Sequence, residues 1–279
     1  MKLMYITNCV PIAKIAESAG VDRIFVDLEY IGKDLRQGGM DTVQNHHTVS
    51  DVRRLRQAIC QSELLVRVNP IHDETSRYSS TEQEISDVID AGADIIMLPY
   101  FKTASEVARF IQAVGGRTKT LLLFETPEAM ENIDEILALR GIDEVFIGLN
   151  DLSLGKGQSF MFEPLADGTV EQAVQKFKAK GLPFGFGGIA SIGHGTLPSE
   201  KIIAEHWRLG SSSVILSRSF CNIDSVKNTD NIAAIFENGI RQILEYETFC
   251  KEQTADFFTR NQKEVKRLVD KICREKELL

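Results

Sequence analysis

Residues 120–151 read TLLLFETPEAMENIDEILALRGIDEVFIGLND, and their pattern indicates the fold class. An apolar run at Thr120–Phe124 precedes a helical segment, which Pro127 opens well because proline is tolerated in the first helical turn. The turn Arg-Gly-Ile-Asp at 140–143 then leads into a second apolar run at Glu144–Gly148. A strand, a helix and a strand in this order predict a parallel β-α-β unit.

The same alternation continues along the whole chain. We predict eight strands, at Lys2–Thr7, Arg23–Asp27, Leu64–Val68, Asp94–Leu98, Thr120–Phe124, Glu144–Gly148, Pro183–Gly187 and Ser213–Leu216. The chain has 279 residues, which matches the roughly 250 residues of a (β/α)8 TIM barrel. We therefore expect an α/β fold of this class with additional C-terminal helices.

The chain divides into two predicted parts. Residues 1–225 would form the barrel, and residues 226–279 would form a helical segment that completes it. The apolar positions within Lys251–Leu279 fall on one side of a helix, and a closed barrel does not need that helix. We expect this helix to pack on a neighbouring subunit.

Composition excludes several classes of function. The net charge of −8 argues against nucleic acid or an anionic membrane as a partner. The apolar start is too short for a secretion signal, and no apolar run approaches about 18 residues, so we expect a soluble, cytoplasmic protein. The five cysteines are scattered, which predicts reduced thiols and no cysteine-based site.

Two carboxylates follow consecutive predicted strands. Glu125 and Asp151 come directly after the fifth and sixth apolar runs. The carboxyl ends of barrel strands share one face, where barrel enzymes place their chemistry. Two carboxylates there can bind Mg²⁺ or Mn²⁺, with Co²⁺ as a further possibility. The alternative is that both acids cap helices or lie in first turns.

Three more charged residues belong to this predicted face. Arg67 lies within an apolar strand, where a guanidinium is costly unless it meets an anion or a carbonyl oxygen. Asp27 and Glu29 end the second strand, and period-2 alternation places both on one face. They could pair with Arg67, orient it toward a substrate, or simply end the strand in solvent.

Backbone groups and two loops complete the candidate site. Gly148 and Asn150, with Asp151, present amides that can bind a carboxylate. The long segment Ile31–Ser50 carries His46 and His47, and long loops of this kind often bind ligands or act as lids. A glycine-rich loop after the seventh strand carries His194. For all three histidines, the alternative is an ordinary surface loop.

Five segments together resemble the HpcH/HpaI aldolase family, class II pyruvate aldolases related to the citrate lyase β-subunit. They are VDLEY, LLVRVNP, GADIIMLPYFKTASEV, FETPEAMENIDEIL and GIDEVFIGLNDLSLGKG. The similarity covers roughly Leu3 to Leu216, and ETPEA followed by DLS is its most specific part.

The resemblance implies a (β/α)8 barrel assembled as a trimer or hexamer, with a C-terminal helix exchanged between subunits. It also implies that Glu125 and Asp151 ligate the metal and that Arg67 contacts the keto or enolate oxygen. The amides of Asn150 and Asp151 would hold the pyruvate carboxylate, and Asp27 would belong to the acid–base network.

One residue departs from the family pattern. Tyr30 stands where the hydroxy-acid aldolases carry a histidine that assists proton transfer. An ordinary tyrosine, with a pKa near about 10, is a poor base but a possible proton donor. His47 or His46 could supply the missing imidazole.

The sequence thus predicts a metal-dependent carbon–carbon lyase or aldolase that acts on 2-oxo acids and aldehydes through a metal-stabilised pyruvate enolate. One alternative is a lyase of malyl- or citramalyl-CoA type, which VRVNP and the absent histidine favour. The other is a non-catalytic relative that binds a 2-oxo acid, which Tyr30 supports.

Overall fold

Eight parallel strands form a closed barrel in the computed structural model, which describes residues 1–32, 47–221 and 228–278. The strands pair in sequence order, and the last strand pairs with the first. Strands β1 to β8 span Lys2–Ile6, Arg23–Asp27, Glu63–Arg67, Ile95–Leu98, Lys119–Phe124, Glu144–Ile147, Phe184–Ile189 and Ser213–Leu216. The predicted TIM barrel is confirmed, with strand ends shifted by at most two residues.

Helices surround the barrel, and two long ones follow the last strand. In the described residues, helices α1 to α12 span Val10–Ser18, Val49–Ala58, Thr81–Asp90, Ala104–Val114, Pro127–Glu131, Ile133–Ile136, Leu149–Gly155, Glu163–Ala166, Thr169–Ala179, Ser199–Leu209, Thr229–Lys251 and Ala255–Glu277. None of the helices in the described ranges combines the length and the apolar character that a bilayer span requires.

The barrel interior is apolar in its middle. It contains a buried cluster of eight side chains from six strands: Met4, Phe25, Leu65, Ile95, Met97, Leu121, Leu123 and Phe146. Side chains alternate along a strand, so residues two positions away share the same inward face. The inward face therefore continues to Asp27, Arg67, Glu125 and Gly148 at the carboxyl ends, which builds a polar layer at the mouth.

Charged residues fill the opposite end, which we call the barrel floor. Arg23 is fully buried there, and its Nη1 donates to Glu144 Oε2 at 2.8 Å while its Nε donates to Glu63 Oε2 at 2.9 Å. Lys119 Nζ lies 2.6 Å from the other oxygen of Glu63. These pairs close the barrel below its apolar middle, and the sequence analysis did not predict them.

The final helix lies on its own chain. Helix α12 packs along α10 and α8, and it buries Val265 and Val269 while Phe257 and Leu268 are partly covered. The Nδ2 of Asn261 donates to Glu205 Oε1 on α10 at 2.9 Å. The one-sided apolar pattern is thus covered by the barrel of the same chain, and packing on a neighbouring subunit stays a prediction.

Candidate functional site

Strand pairing brings the two predicted metal ligands to neighbouring positions. Glu125 follows β5 directly, and Asp151 lies in the first turn of α7, just after β6. The N–H of Gly148 donates to the carbonyl of Phe124 at 3.0 Å, which holds these two strand ends together. Both carboxylates are buried, at 3% and 6% exposure.

The carboxylate of Glu125 is held between two backbone segments. Its Oε1 accepts the N–H of Tyr100 at 3.0 Å. Its Oε2 packs against Gly148, where an added Cβ would lie 2.6 Å from that oxygen and 2.8 Å from Cβ of Glu125. A Cβ at position 148 would therefore displace the carboxylate, so the glycine is needed for the close approach.

These groups suit a hard divalent cation. Glu125 and Asp151 supply oxygen ligands, the type that Mg²⁺ and Mn²⁺ prefer, and such ions usually bind through one or two carboxylates plus water and substrate. Among the described residues, no cluster of three or more His, Cys, Asp or Glu side chains has the arrangement of a metal site. Two carboxylate ligands would leave the other coordination positions of such an ion to water and substrate.

The first turn of α7 presents backbone amides beside these carboxylates. Gly148 is the N-cap of the helix, and Asn150 and Asp151 are its second and third residues. The first N–H groups of a helix have no partner within the helix. Asp151 lies in the first turn of this helix, as the alternative interpretation expected. A first-turn carboxylate can still bind a cation.

Arg67 points into the mouth from β3 and is held by acids. Its Nε and Nη2 donate to the two carboxylate oxygens of Asp27, each at 2.8 Å, and its Nη1 lies 3.2 Å from Glu29 Oε2. Burial alone would lower the pKa of Arg67, but Asp27, Glu29 and Glu125 raise it well above its ordinary value. The predicted ion pairs therefore exist, and they fix a permanent cation near Glu125.

The carboxylate of Asp27 holds this cation in place. Both of its oxygens receive Arg67, and Oδ1 also accepts the N–H of Glu29 at 3.2 Å. A bidentate pair of this kind fixes the plane of the guanidinium. This geometry lets Asp27 orient Arg67, and its place in the predicted acid–base network stays a prediction.

Tyr30 contacts the backbone of the following loop. Its hydroxyl donates to the carbonyl oxygen of His47, and its N–H donates to Asn69 Oδ1 at 2.8 Å. Burial and the nearby charges of Asp27 and Asp51 raise the pKa of Tyr30 above its ordinary value. The side chain is therefore a protonated phenol at neutral pH, not a base.

His47 lies directly beside β2. Its side chain is buried, and its Nδ1 accepts the backbone N–H of Asp27 at 3.0 Å. His46 lies outside the described residues. His194 is exposed in the loop after β7, and its backbone N–H donates to the carbonyl of Ser191. Of the two loop histidines that the structure describes, His47 is the one that contacts the polar layer.

The sequence analysis missed two residues that build the mouth. Tyr100 adopts a positive φ of 50°, unusual for a non-glycine residue, and this turn aims its N–H at Glu125. Asn69 Oδ1 accepts the N–H groups of Tyr30 and Ile31, while its Nδ2 donates to Glu84 at 2.8 Å. Asn69 follows Arg67 by two residues, so strand alternation could have indicated it.

A cavity of about 770 Å³ lies at the other end of the molecule, beside the barrel floor. Its charged groups pair with one another, as in the contact of Arg56 with Asp94 at 2.7 Å and of Lys119 with Glu63 at 2.6 Å. Barrel enzymes carry their chemistry at the carboxyl ends of the strands. We therefore place the functional site at the mouth.

Comparisons with known proteins found relatives of this chain. The family model described as HpcH/HpaI aldolase/citrate lyase matches residues 4–183. A 2-keto-3-deoxy-L-rhamnonate aldolase of Escherichia coli O17:K52:H18 is 25% identical over 209 residues, which are 64% of this chain and 70% of that protein.

Solved structures share the fold. The crystal structure of an HpcH/HpaI aldolase from Desulfitobacterium hafniense DCB-2 has a TM-score of 0.59 at 17% identity, covering 91% of this chain and 93% of that one. The crystal structure of the citrate synthase SbnG has a TM-score of 0.56 at 18% identity, covering 77% and 84%. At these identities, the structural likeness speaks for the fold alone.

Proposed function

The chain belongs to the HpcH/HpaI aldolase/citrate lyase family, and from this premise we propose that it is a divalent-metal-dependent carbon–carbon lyase or aldolase of 2-oxo acids. The observation that carries the proposal is the pair of buried carboxylates, Glu125 and Asp151, at adjacent strand ends beside Arg67. The substrates would be a small 2-oxo acid and an aldehyde.

Glu125 and Asp151 would hold the ion, with Mg²⁺ or Mn²⁺ favoured and Co²⁺ also compatible with oxygen ligands. When bound, such an ion supplies Lewis-acid chemistry that polarises the substrate carbonyl. The backbone N–H of Tyr100 keeps Oε1 of Glu125 in place, and Gly148 leaves room beside Oε2. These two contacts would hold the carboxylate of Glu125 in a position to bind the ion before substrate binds.

Arg67 would stabilise the negative charge of the reaction. When the hydroxyl on the fourth carbon of a 4-hydroxy-2-oxo acid loses its proton to solvent, cleavage of the carbon–carbon bond releases an aldehyde and leaves the electron pair next to the keto group, as an enolate. A proton from solvent then converts the enolate to the small 2-oxo acid, and condensation is the reverse. The guanidinium is held by Asp27 and Glu29 in a buried site, where a fixed charge acts more strongly than in water. The substrate carboxylate would meet the amides of Asn150 and Asp151.

The test is loss of metal binding and of enolisation in matched variants. Glu125→Gln and Asp151→Asn should lower Mn²⁺ affinity and reduce Mg²⁺-dependent proton exchange at the methyl group of pyruvate by on the order of 10²-fold or more, because a charged ligand is lost. Glu128→Gln is the control, since Glu128 lies three residues away and pairs with Lys102 at 2.7 Å. If Glu125→Gln exchanged pyruvate as fast as Glu128→Gln, the proposal would fail.

Two assays separate the alternatives. The lyase of CoA thioesters would cleave malyl- or citramalyl-CoA faster than free 2-oxo acids. A non-catalytic relative would bind pyruvate in the presence of Mg²⁺ and show no proton exchange.

We also expect the protein to form a homo-oligomer, a trimer or a hexamer. Light scattering would measure the mass of that assembly.

A further inference from the structure

A buried amide ties the end of β2 to the segment that follows β3. The Oδ1 of Asn69 accepts the N–H of Tyr30 at 2.8 Å and the N–H of Ile31 at 2.9 Å. These two residues directly follow Glu29, whose Oε2 lies 3.2 Å from Arg67 Nη1. The orientation of the Asn69 amide therefore bears on the position of an acid that holds Arg67.

Glu84 on α3 sets that orientation. Its Oε1 accepts the side-chain Nδ2 of Asn69 at 2.8 Å and the backbone N–H of Asn69 at 3.2 Å. An ionised carboxylate can only accept, so the amide turns its nitrogen toward Glu84 and its oxygen toward β2. Burial raises the pKa of Glu84 above its ordinary value, although the donors of Asn69 and the nearby His72 act against this. A charged Glu84 thus requires a cation close by.

The ring of His72 meets acceptors at both nitrogens. Its Nδ1 lies 2.7 Å from the carbonyl oxygen of Pro70, and its Nε2 lies 2.9 Å from that of Ser79. A carbonyl oxygen cannot donate, so both contacts are hydrogen bonds only if both ring nitrogens carry protons. A neutral ring would place a lone pair against one of these oxygens. Donation from Thr81 Oγ1, 3.2 Å from Nδ1, would not change this, because the Pro70 oxygen lies closer to the same nitrogen.

This doubly protonated ring faces Glu84. The Nε2 of His72 lies 3.9 Å from Glu84 Oε2, and the two side chains are only 9% and 12% exposed. Among the residues that the structure describes, that carboxylate oxygen has no hydrogen-bond partner. A proton on Oε2 would therefore lack an acceptor, whereas a negative charge on Oε2 is met by the imidazolium.

The charged groups on neighbouring elements do not replace Glu84 as the partner of the ring. Those groups are Asp73, Tyr78, Glu82, Asp87 and Arg109. Arg109 on α4 reaches the backbone of His72, with Nη2 3.2 Å from the carbonyl oxygen, and its own charge is met by Glu82 and Asp73. The ring of Tyr78 lies 6.3 Å from the imidazole, centroid to centroid.

We propose that His72 and Glu84 form an ion pair that positions the candidate site through Asn69. The pair fixes the amide of Asn69 toward the N–H groups at the end of β2, which keeps Glu29 beside Arg67. This assignment rests on the proposed function and deepens it. Both members of the pair are positioning residues that act at a distance from the substrate. Turnover then depends on the proton that His72 carries.

Ring-nitrogen NMR tests the ion pair without any turnover. In protein labelled with ¹⁵N-histidine, the signals that disappear in His72→Gln belong to His72. We expect protons on both ring nitrogens of the wild-type protein at about pH 7.5, where an ordinary histidine is mostly neutral. The ring should be less protonated at that pH in Glu84→Gln, because the facing charge is gone. A neutral ring in the wild type, or an equally protonated ring in both proteins, would overturn the proposal.

Glu84→Gln and a matched control test the role in turnover. The variant keeps an oxygen that can accept from Asn69, but it removes the charge. We expect kcat for cleavage of the best substrate in a small panel of 4-hydroxy-2-oxo acids to fall about tenfold or more, since outer contacts that orient site residues typically contribute about 10–100-fold. Asp87→Asn is the control, because Asp87 lies on the same helix and accepts from Gln83 at 2.8 Å. Equal kcat in the two variants would contradict the positioning role.

Three readouts separate positioning from a general loss of structure. The backbone amide signals of Tyr30 and Ile31 should shift in Glu84→Gln and stay in place in Asp87→Asn, while Mn²⁺ affinity should be unchanged in both variants. The ratio of wild-type kcat to that of His72→Gln should fall as the pH rises, because the wild-type ring loses the proton that the variant lacks at every pH. Unmoved amide signals, a loss of Mn²⁺ affinity or a ratio independent of pH would each refute the role.

Failure of the proposed function would look different. Wild-type protein would then exchange no protons at the methyl of pyruvate in the presence of Mg²⁺, whereas the ring and amide signals would still report the ion pair. Failure of the ion pair would leave wild-type exchange intact and would give Glu84→Gln the kcat of Asp87→Asn.

Discussion

At the scale of single residues, the mouth depends on backbone groups as much as on charged side chains. Gly148 has a φ of −82°, which any residue adopts, so it is needed for space rather than for conformation. Tyr100 shows the opposite case, because its positive φ is unfavourable for tyrosine yet turns its N–H toward Glu125. Both residues contact the same carboxylate, Tyr100 at Oε1 and Gly148 beside Oε2.

Gly148→Ala should therefore weaken metal binding without unfolding the barrel. The new Cβ would lie 2.6 Å from Glu125 Oε2, so the carboxylate must move. We expect Mn²⁺ affinity, measured by calorimetry, to fall at least about tenfold, since displaced ligands and their supporting contacts typically cost this much. Gly188→Ala is the control, because a Cβ there meets its nearest atom at 3.4 Å. Equal affinity in the two variants would contradict this account of Gly148.

At the scale of elements, the strands carry charge at both ends and apolar residues between. The floor joins the first residues of β2, β3, β5 and β6 through Arg23, Glu63, Lys119 and Glu144. Burial opposes the charge of Glu63, but Lys119 and Arg23 lower the pKa of its carboxyl to about 2. Glu63 therefore remains ionised throughout the neutral range. The ion pairs of the floor tie four strand starts together.

Breaking the floor should cost stability and leave metal binding intact. Glu144→Ala leaves the fully buried Arg23 with one remaining acid, Glu63, and removing one partner of a buried pair costs about 3–5 kcal/mol. Lys119→Ala is the control: its side chain is 51% exposed, and exposed pairs contribute about 1 kcal/mol or less. Urea unfolding measures the free energy of unfolding of both variants. If Glu144→Ala lost no more of it than Lys119→Ala, the predicted importance of the buried pair would be wrong.

At the scale of the whole molecule, one buried histidine links folding to pH. The ring of His206 is stacked on Phe186, with centroids 3.8 Å apart, and its Nδ1 lies 2.8 Å from Ser211 Oγ. Burial lowers the pKa of His206 from 6.5 to about 3. The unfolded chain therefore binds a proton more readily than the folded one between these two values. Stability from this group is complete above pH 6.5 and is lost as the pH falls toward 3.

We expect the free energy of unfolding to drop by about 1 kcal/mol between about pH 7 and about pH 5.5 because of His206 alone. His206→Asn should remove this part of the pH dependence, even though the variant will be less stable overall. His194→Asn is the control, since His194 is exposed. Urea titrations at both pH values measure the slopes, and an unchanged slope in His206→Asn would exclude this residue as the cause.

Much of the fold could be predicted because its signals are local. Each strand appears as a short apolar run, and turns such as Arg-Gly-Ile-Asp before β6 mark where a helix ends and the chain re-enters the sheet. The placement of Glu125 and Asp151 followed from the same local order, because both come directly after apolar runs. The end of the seventh strand was less accurate, since Gly187 and Gly188 resemble a loop in sequence.

The sequence by itself determined the barrel, the face on which its acids lie and the family to which the chain belongs. Only the tertiary structure decided how those acids are used: that Arg67 is held by Asp27, that Arg23 is neutralised on the floor by Glu144, and that His47 takes its orientation from Tyr30 and Asp27. These contacts join residues between 17 and 121 positions apart along the chain. Such pairs exist only after the strands have closed in register, because closure sets which side chains share the interior and which backbone groups meet them.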